Sequence, residues 1–376
     1  MRRLGVGARP ALGKRFLLRK VAHWLCHRAR TVPQWRTMPS DLRDQFSRPL
    51  RDLRISVTDR CNFRCPYCMP KEVFGADHAF LANPQLVSLP ELSRIVRAFR
   101  NLGVEKVRLT GGEPLLRPDL PDFVRLLKTE LGLPDVALTT NGWLLEKHAP
   151  ALRAAGLDRI NVSVDSLDAT KAGIMNGLGF SVSRVLRGID AAAALGLPVK
   201  INCVVQRGVN DDELLELCGY FRERGHVLRF IEFMDVGNTN HWTSEQVMPA
   251  LAIVARIHQQ WPIEAVGPAY RGEVASRYRY RDGKGEIGII SSVTEPFCKD
   301  CHRARLSADG KIFTCLFAAE GHDLLDQVRG GMGDDALTEY IGNIWRGRGD
   351  RYSDERAELL AKKEPRAKVE MSYIGG

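Results

Sequence analysis

Between residues 53 and 234, short β-type runs alternate with longer amphipathic runs, and this rhythm limits the possible folds more than any other feature of the chain. The predicted strands are 54–58, 106–110, 136–140, 159–165, 199–205 and 227–234. Between them, segments 89–102, 120–131, 144–155, 182–195 and 211–224 carry apolar residues near the 3.6-residue period of a helix. Gly103, Gly132, Gly156, Gly196 and Gly225 each follow one of these segments, where a glycine cap ends a helix. Parallel strands require long crossover connections, and those crossovers are right-handed. The expected fold class is therefore α/β, a partial, six-unit TIM-like βα barrel with its helices outside. A full eight-unit barrel is not supported.

The rhythm stops near residue 240. Residues 242–262 read as a helix, 270–281 interleave Arg and Tyr, and Gly283, Gly285 and Gly288 lead into a cysteine-bearing stretch. Three segments are expected: a basic N-terminal arm at 1–45, a core barrel at 46–240, and a C-terminal lobe at 241–376. The lobe is expected to cover the open side of the barrel and to end in Gly375-Gly376.

The formal charge of +10 is local rather than global. Residues 1–37 hold ten Lys/Arg and no acid, which leaves 45 Lys/Arg against 45 Asp/Glu in the remainder. A neutral body argues against nucleic acid as a partner. No apolar run approaches the roughly 18–20 residues that cross a bilayer, so no membrane partner is expected either. The arm itself has three readings: a cleaved transit peptide, an extension upstream of a start at Met38, or a basic tail. The expected location is cytoplasmic, or the mitochondrial matrix if the arm is a transit peptide.

Nine cysteines are present, and six fall into two tight groups. An odd total with no secretory signal argues against a disulfide framework, whereas clustered thiols signal metal. Cys61, Cys65 and Cys68 form a C-x₃-C-x₂-C loop directly after the first predicted strand. Three thiolates can hold three irons of a 4Fe–4S cube and leave the fourth open. Zinc favours four ligands from paired C-x₂-C units, which this spacing does not supply. Gly111-Gly112-Glu113-Pro114 follows the second strand, where glycine lets backbone approach a ligand closely. The second group, Cys298, Cys301 and Cys315, is C-x₂-C-x₁₃-C, again with three thiols. His302, Cys203 or Cys218 would turn it into a closed zinc site. Arg303-Ala304-Arg305 lies between these cysteines, and in an extended chain both arginines share a face suited to one anion.

The cysteine loop with its GGEP partner resembles the radical SAM superfamily, whose members cleave S-adenosylmethionine (SAM) at the open iron. Thr58-Asp59-Arg60, the second cysteine triplet, the Gly237-Asn238-Thr239-Asn240 turn and the double-glycine end are similar to one family within it. That family is the GTP 3′,8-cyclases (molybdenum cofactor biosynthesis protein A), and the resemblance covers about residues 45–376. It implies a radical SAM barrel with a C-terminal iron–sulfur lobe and two 4Fe–4S clusters, each held by three cysteines. It implies a lyase in which a SAM-derived 5′-deoxyadenosyl radical converts GTP to 3′,8-cyclo-7,8-dihydro-GTP, the first step of molybdenum cofactor biosynthesis. Tyr67, Gly112, Ser163 and Met234 match the SAM contacts. Arg54, Arg108, Thr139, Lys200, Arg303, Ala304 and Arg305 match the GTP contacts, with Lys106 and Arg229 as further cations.

No residue is assigned as a catalytic acid or base. The implied partners are GTP, an electron donor and the next pathway enzyme, cyclic pyranopterin monophosphate synthase; a homodimer is compatible with the resemblance. Two other functions compete. A radical SAM maturase acting on a peptide would not require Arg303 and Arg305. A zinc-stabilised RNA-binding protein would need a basic, aromatic-rich body, yet only 7% of residues are aromatic.

Overall fold

The computed structural model describes residues 42–361 and 368–376. The readings made for the basic arm up to residue 41, Cys26 and Met38 included, lie outside them.

Six strands follow the expected rhythm: β1 (Asp52–Ser56), β2 (Lys106–Thr110), β3 (Asp135–Thr140), β4 (Arg159–Ser163), β5 (Val199–Val205) and β6 (Val227–Glu232). Each pairs in parallel with the next in chain order. The remaining strands are β7 (Ile263–Val266), β8 (Ser276–Tyr280), β9 (Glu286–Ile290), β10 (Arg303–Leu306), β11 (Lys311–Phe313) and β12 (His322–Asp323). They extend the same sheet at both edges, in the order β12-β11-β10-β1-β2-β3-β4-β5-β6-β9-β8-β7. β9 runs parallel to β6 and β10 parallel to β1, while the outer pairs are antiparallel. The sheet stays open, with β12 and β7 as its edges. The segments before and after residue 240 thus share one hydrogen-bonded sheet.

Strand side chains alternate between two faces. Leu53, Ile55, Val107, Leu109, Val136, Leu138, Ile160 and Val162 take the outer face and join Leu92, Ile95, Phe99, Phe123 and Leu127 of the helices in one buried core. The alternate positions Arg54, Arg108, Thr139, Ser163 and Lys200 line a cavity on the inner face. A barrel of this kind is commonly filled by branched apolar side chains. This one is lined with cations.

The helices Leu89–Asn101, Leu120–Thr129, Leu145–Ala155, Val182–Ala194 and Leu214–Glu223 lie where the periodicity places them. Ser88 starts the first, and the Glu91 carboxylate accepts from its backbone N–H at 2.8 Å, completing a capping box. Gly103 (φ 104°) and Gly156 (φ 93°) take the left-handed conformation beyond helix ends that other residues adopt at a cost.

Besides β7–β12, which the sequence reading did not place, two helices differ from it. Ala169–Met175 is an additional helix, capped by Asp168 through the Lys171 N–H at 2.8 Å. At seven residues it is too short to display a helical period. The helix expected over 242–262 spans only Ala250–Gln260. Pro249 holds Met248 away from the helical region at its start, and Pro262 does the same to Trp261, which is extended at φ −133° and ψ 112°. Among the described residues no helix is long and apolar enough to cross a membrane.

Candidate active site in the barrel lumen

A cavity of about 610 Å³ occupies the inner face of the sheet, and all six clustered thiols line it. Strand direction sets their places. Cys61, Cys65 and Cys68 follow the C-terminal end of β1, whereas Cys298 and Cys301 precede the N-terminal end of β10. Because β10 is parallel to β1, with Asp52 opposite Arg303 and Arg54 opposite Arg305, the triplets lie at opposite ends of the lumen. Cys315 joins the second through β11, which runs back antiparallel from β10. A five-residue strand between them amounts to roughly 17 Å.

The first triplet is a buried loop. Burial and then the Glu113 carboxylate push the Cys61 thiol up to about 12, burial and then Cys61 do the same to Cys68, and burial first pushes Cys65 well up. Such thiols become thiolates only when a metal charge compensates for lost water. The loop is held from below by the GGEP turn. A Cβ on Gly112 would overlap the Arg60 carbonyl, and one on Gly111 (φ 145°) would overlap Thr58 O. Both positions therefore need glycine. The Gly112 N–H donates to Thr58 O and the Glu113 N–H to Arg60 O, both at 2.8 Å. Buried Glu113 accepts from the Thr140 hydroxyl at 2.6 Å and the Asn141 N–H at 2.8 Å. Asn141 Nδ2 in turn approaches Cys61 Sγ at 3.9 Å.

The second triplet has different electrostatics. Burial pushes Cys298 up and Cys315 to about 12, but Cys301 lies at about 5, because Arg303 and Arg348 outweigh its burial. Arg303 and Arg348 each donate to Cys301 Sγ at 3.3 Å. None of the side chains proposed to close this site joins it. His302 Nε2 sits 3.2 Å from Arg271 O and its Nδ1 3.7 Å from Asp52. Cys203 points at Asp165 O, and Cys218 is paired with Tyr280. Among the described residues no three His, Cys, Asp or Glu side chains converge on one metal ion. Thiols that bind separate corners of a cube are spread more widely than the ligands of one zinc.

Arg54, Arg108, Lys200, Arg303, Arg305, Lys106 and Arg229 all line the same cavity. Their mutual repulsion is visible. Burial, followed by Arg305 and Arg108, lowers Arg54 well below the usual guanidinium value, and burial with Arg303 brings Arg305 to about 9. Burial with Arg108 brings Arg229 to about 9, and burial with Arg229 lowers Lys200. Arg108 Nε and Arg229 Nε are buried without a hydrogen-bond partner. Stranded buried donors of this kind are costly unless an anion meets them. These cations occupy the first half and middle of their strands rather than a single rim at the strand C-termini, because Arg54, Arg108 and Arg229 are third in β1, β2 and β6.

Tyr67, Gly112, Ser163, Met234 and Thr139 also line the cavity. Ala304 does not; it packs into the outer core opposite Leu53. Sequence reasoning missed Asp165, which accepts from the Tyr67 hydroxyl at 2.6 Å, and Asn161, which accepts from Arg229 at 2.6 Å. It also missed Arg348, 47 residues from Cys301 in sequence. Asp165 and Asn161 bear the only signal, a polar residue at an inner-face position of a predicted strand or just past its end. Gly376 lines the cavity, and Arg305 donates to the Gly375 carbonyl.

Residues 55–221 match the Radical SAM superfamily and residues 226–354 match Molybdenum Cofactor Synthesis C. The GTP 3′,8-cyclase of Acidothermus cellulolyticus is 51% identical over 362 residues, covering 90% of this chain and 100% of the relative. Those of Xanthomonas axonopodis pv. citri and Staphylococcus carnosus are 51% and 47% identical over 340 residues, with the same coverage. Among solved structures, Streptococcus suis SuiB bound to precursor peptide SuiA is similar at TM-score 0.56 and 16% identity, over 81% of this chain and 66% of that chain. That likeness is one of fold. The chain spans 47% of SuiB in its S-adenosylmethionine-bound structure, at TM-score 0.45.

Proposed function

The chain belongs to the GTP 3′,8-cyclase family of radical SAM proteins, and from that premise we propose that its lumen converts GTP to 3′,8-cyclo-7,8-dihydro-GTP, the first step of molybdenum cofactor biosynthesis. Two three-cysteine 4Fe–4S clusters, one at each end, are part of this reading. When bound, the first cluster and SAM would supply the 5′-deoxyadenosyl radical that takes the hydrogen from ribose C3′; the sugar carbon then joins guanine C8, and one further electron from the donor, with a proton, converts the base radical to the 7,8-dihydro product. The observation that carries the proposal is the set of buried, mutually repelling cations between two thiol triplets, two of them with unpartnered Nε–H groups.

A triphosphate of about four negative charges offsets that repulsion and meets the stranded donors. Arg54, Arg108, Lys200 and Arg305 bind it, and Arg229, braced by Asn161, adds a further donor. Arg303 sits between the anion and the Cys301 sulfur. The phosphates then fix one end of the nucleotide, so that the ribose faces the first triplet and the base the second. This orientation supplies much of the rate for a reaction whose reactive species attacks any neighbouring C–H. Tyr67, held by Asp165, and Ser163, Gly112 and Met234 form the SAM end. Packing of the tail against Thr110 and Arg305 limits water access. An electron donor reduces the clusters, and the product passes to cyclic pyranopterin monophosphate synthase.

The test is anaerobic purification with metal counting, followed by incubation with GTP, SAM and a reductant. About eight irons per chain are expected from two cubes, with 5′-deoxyadenosine forming alongside the cyclised nucleotide. Zinc in place of iron, or no cyclised product, overturns the reading.

A further inference from the structure

The Gly237-Asn238-Thr239-Asn240 turn has no part in the chemistry above, yet it is where the C-terminal segment attaches. Asn240 Nδ2 donates to Met234 O at 2.9 Å and closes the turn at the end of β6. The turn then presents donors to one carboxylate. The Asn238 N–H reaches Glu370 Oε1 at 2.8 Å, and the Thr239 hydroxyl reaches Glu370 Oε2 at 3.1 Å. Asn238 also pairs with the backbone of Lys368, accepting from its N–H at 3.1 Å and donating to its carbonyl. Gly237 (φ 66°) passes so close that any Cβ would overlap Glu370 Oε2. Beside it, Lys368 Nζ donates to Asp235 Oδ2 at 2.8 Å, and the Val369 N–H donates to Ala318 O at 3.0 Å. Gly376 lies six residues beyond Glu370. The Tyr373 hydroxyl donates to Asp309 at 2.5 Å, Arg305 donates to the Gly375 carbonyl, and Gly376 lies in the cavity.

We propose that Glu370, clasped by the Gly237–Asn240 turn, is a positioning residue: it touches no substrate but fixes how far Gly375-Gly376 reaches into the lumen beside Arg305. A short tail anchored at one end has few conformations left to lose, so a charge-assisted clasp six residues away largely determines where its end lies. Asn238 is exposed, so the clasp sits in water and gives way before the core does. Its catalytic consequence rests on the proposed cyclase activity; its structural part does not.

Two readouts separate the clasp from that activity. In the intact chain, Glu370→Ala is expected to speed amide hydrogen exchange in residues 369–376 roughly tenfold, the loss of about one charge-assisted hydrogen bond. Exchange across 42–361 should stay as it was. Thr239→Val, which leaves the carboxylate in place but removes the hydroxyl that donates to it, should speed exchange in the same residues, by a smaller factor. Cyclised product per minute should fall in both variants, through kcat more than through the SAM KM, with iron content unchanged. Unchanged exchange at 369–376 in both variants overturns the clasp, whatever the activity. Faster exchange with unaltered turnover overturns its role in placing the tail end. If the unaltered enzyme forms no cyclised product, the cyclase reading fails, and the exchange arm still decides the clasp.

Discussion

The two thiol triplets share a ligand count and little else. The first is a loop at the C-terminal end of β1, all three of its thiols pushed up by burial, and at Cys61 the Glu113 carboxylate outweighs the Arg64 cation. The second spans the start of β10 and the end of β11, and two guanidiniums hold its Cys301 down at about 5. The first therefore depends on metal charge to ionise its thiols. In the second only Cys301 is held anionic, while burial pushes Cys298 and Cys315 up, and the arginines that frame Cys301 also face the lumen. The two ends thus differ in the charge around their thiols, and the polarity of the parallel sheet keeps them apart.

Breaking one end should spare the other. Cys61→Ser is expected to remove the iron of the first site and reduce cyclisation to below about 0.1% of the unaltered rate, while about four irons remain. Cys298→Ser should give the mirror-image result, retaining the first-site iron. Iron analysis with electron paramagnetic resonance on both variants checks the pair; loss of all iron in either would show that the ends are not independent.

Arg305→Ala removes a buried donor from the anion end and leaves its thiols untouched. Its GTP kcat/KM should fall roughly 10²–10³-fold, as when a preorganised charge donor is lost, at constant iron content. Arg348→Ala sharpens the comparison from outside the cavity's phosphate set. It removes one of two guanidiniums on Cys301, so iron retention at the second site against a chelator should weaken roughly tenfold or more. The first site should be unaffected.

Asp165→Asn tests the other end more gently. The carboxylate accepts from the Tyr67 hydroxyl and from the Val204 N–H at 2.9 Å. Its loss should raise the SAM KM by roughly fivefold to tenfold, about one net hydrogen bond, with GTP KM unchanged.

The smallest effect belongs to a charge pair outside both ends. Arg329 holds the Glu91 carboxyl down to about 2 from 4.5, and the pair lies 2.8 Å apart at the surface. A lowered carboxyl pKa contributes stability that is present above about 4.5 and is lost as pH falls through about 2. Solvent screening limits the pair to about 1 kcal/mol or less. Arg329→Ala should therefore shift the melting temperature by a few degrees at most, on the order of 1–3 °C, at pH 7. The difference should shrink as the pH approaches 2.

Most of the frame was legible in the sequence because its determinants are local. Apolar period 3.6 or 2, a glycine after each helix and thiol spacing all act over a few residues, so six strands, five helices and both triplets fall where those signals put them. What the sequence did not disclose depends on how strands far apart in the chain pair. Nothing in the spacing of Arg303 and Arg305 says that their strand lies beside β1 and parallel to it, which aligns Arg305 with Arg54. The register also puts the two triplets at opposite ends and brings Arg348 and Gly376 to a cavity that no local pattern announces. Local propensity needs only neighbours in sequence. Register and cavity come from packing the whole sheet at once, and only the folded chain evaluates that packing.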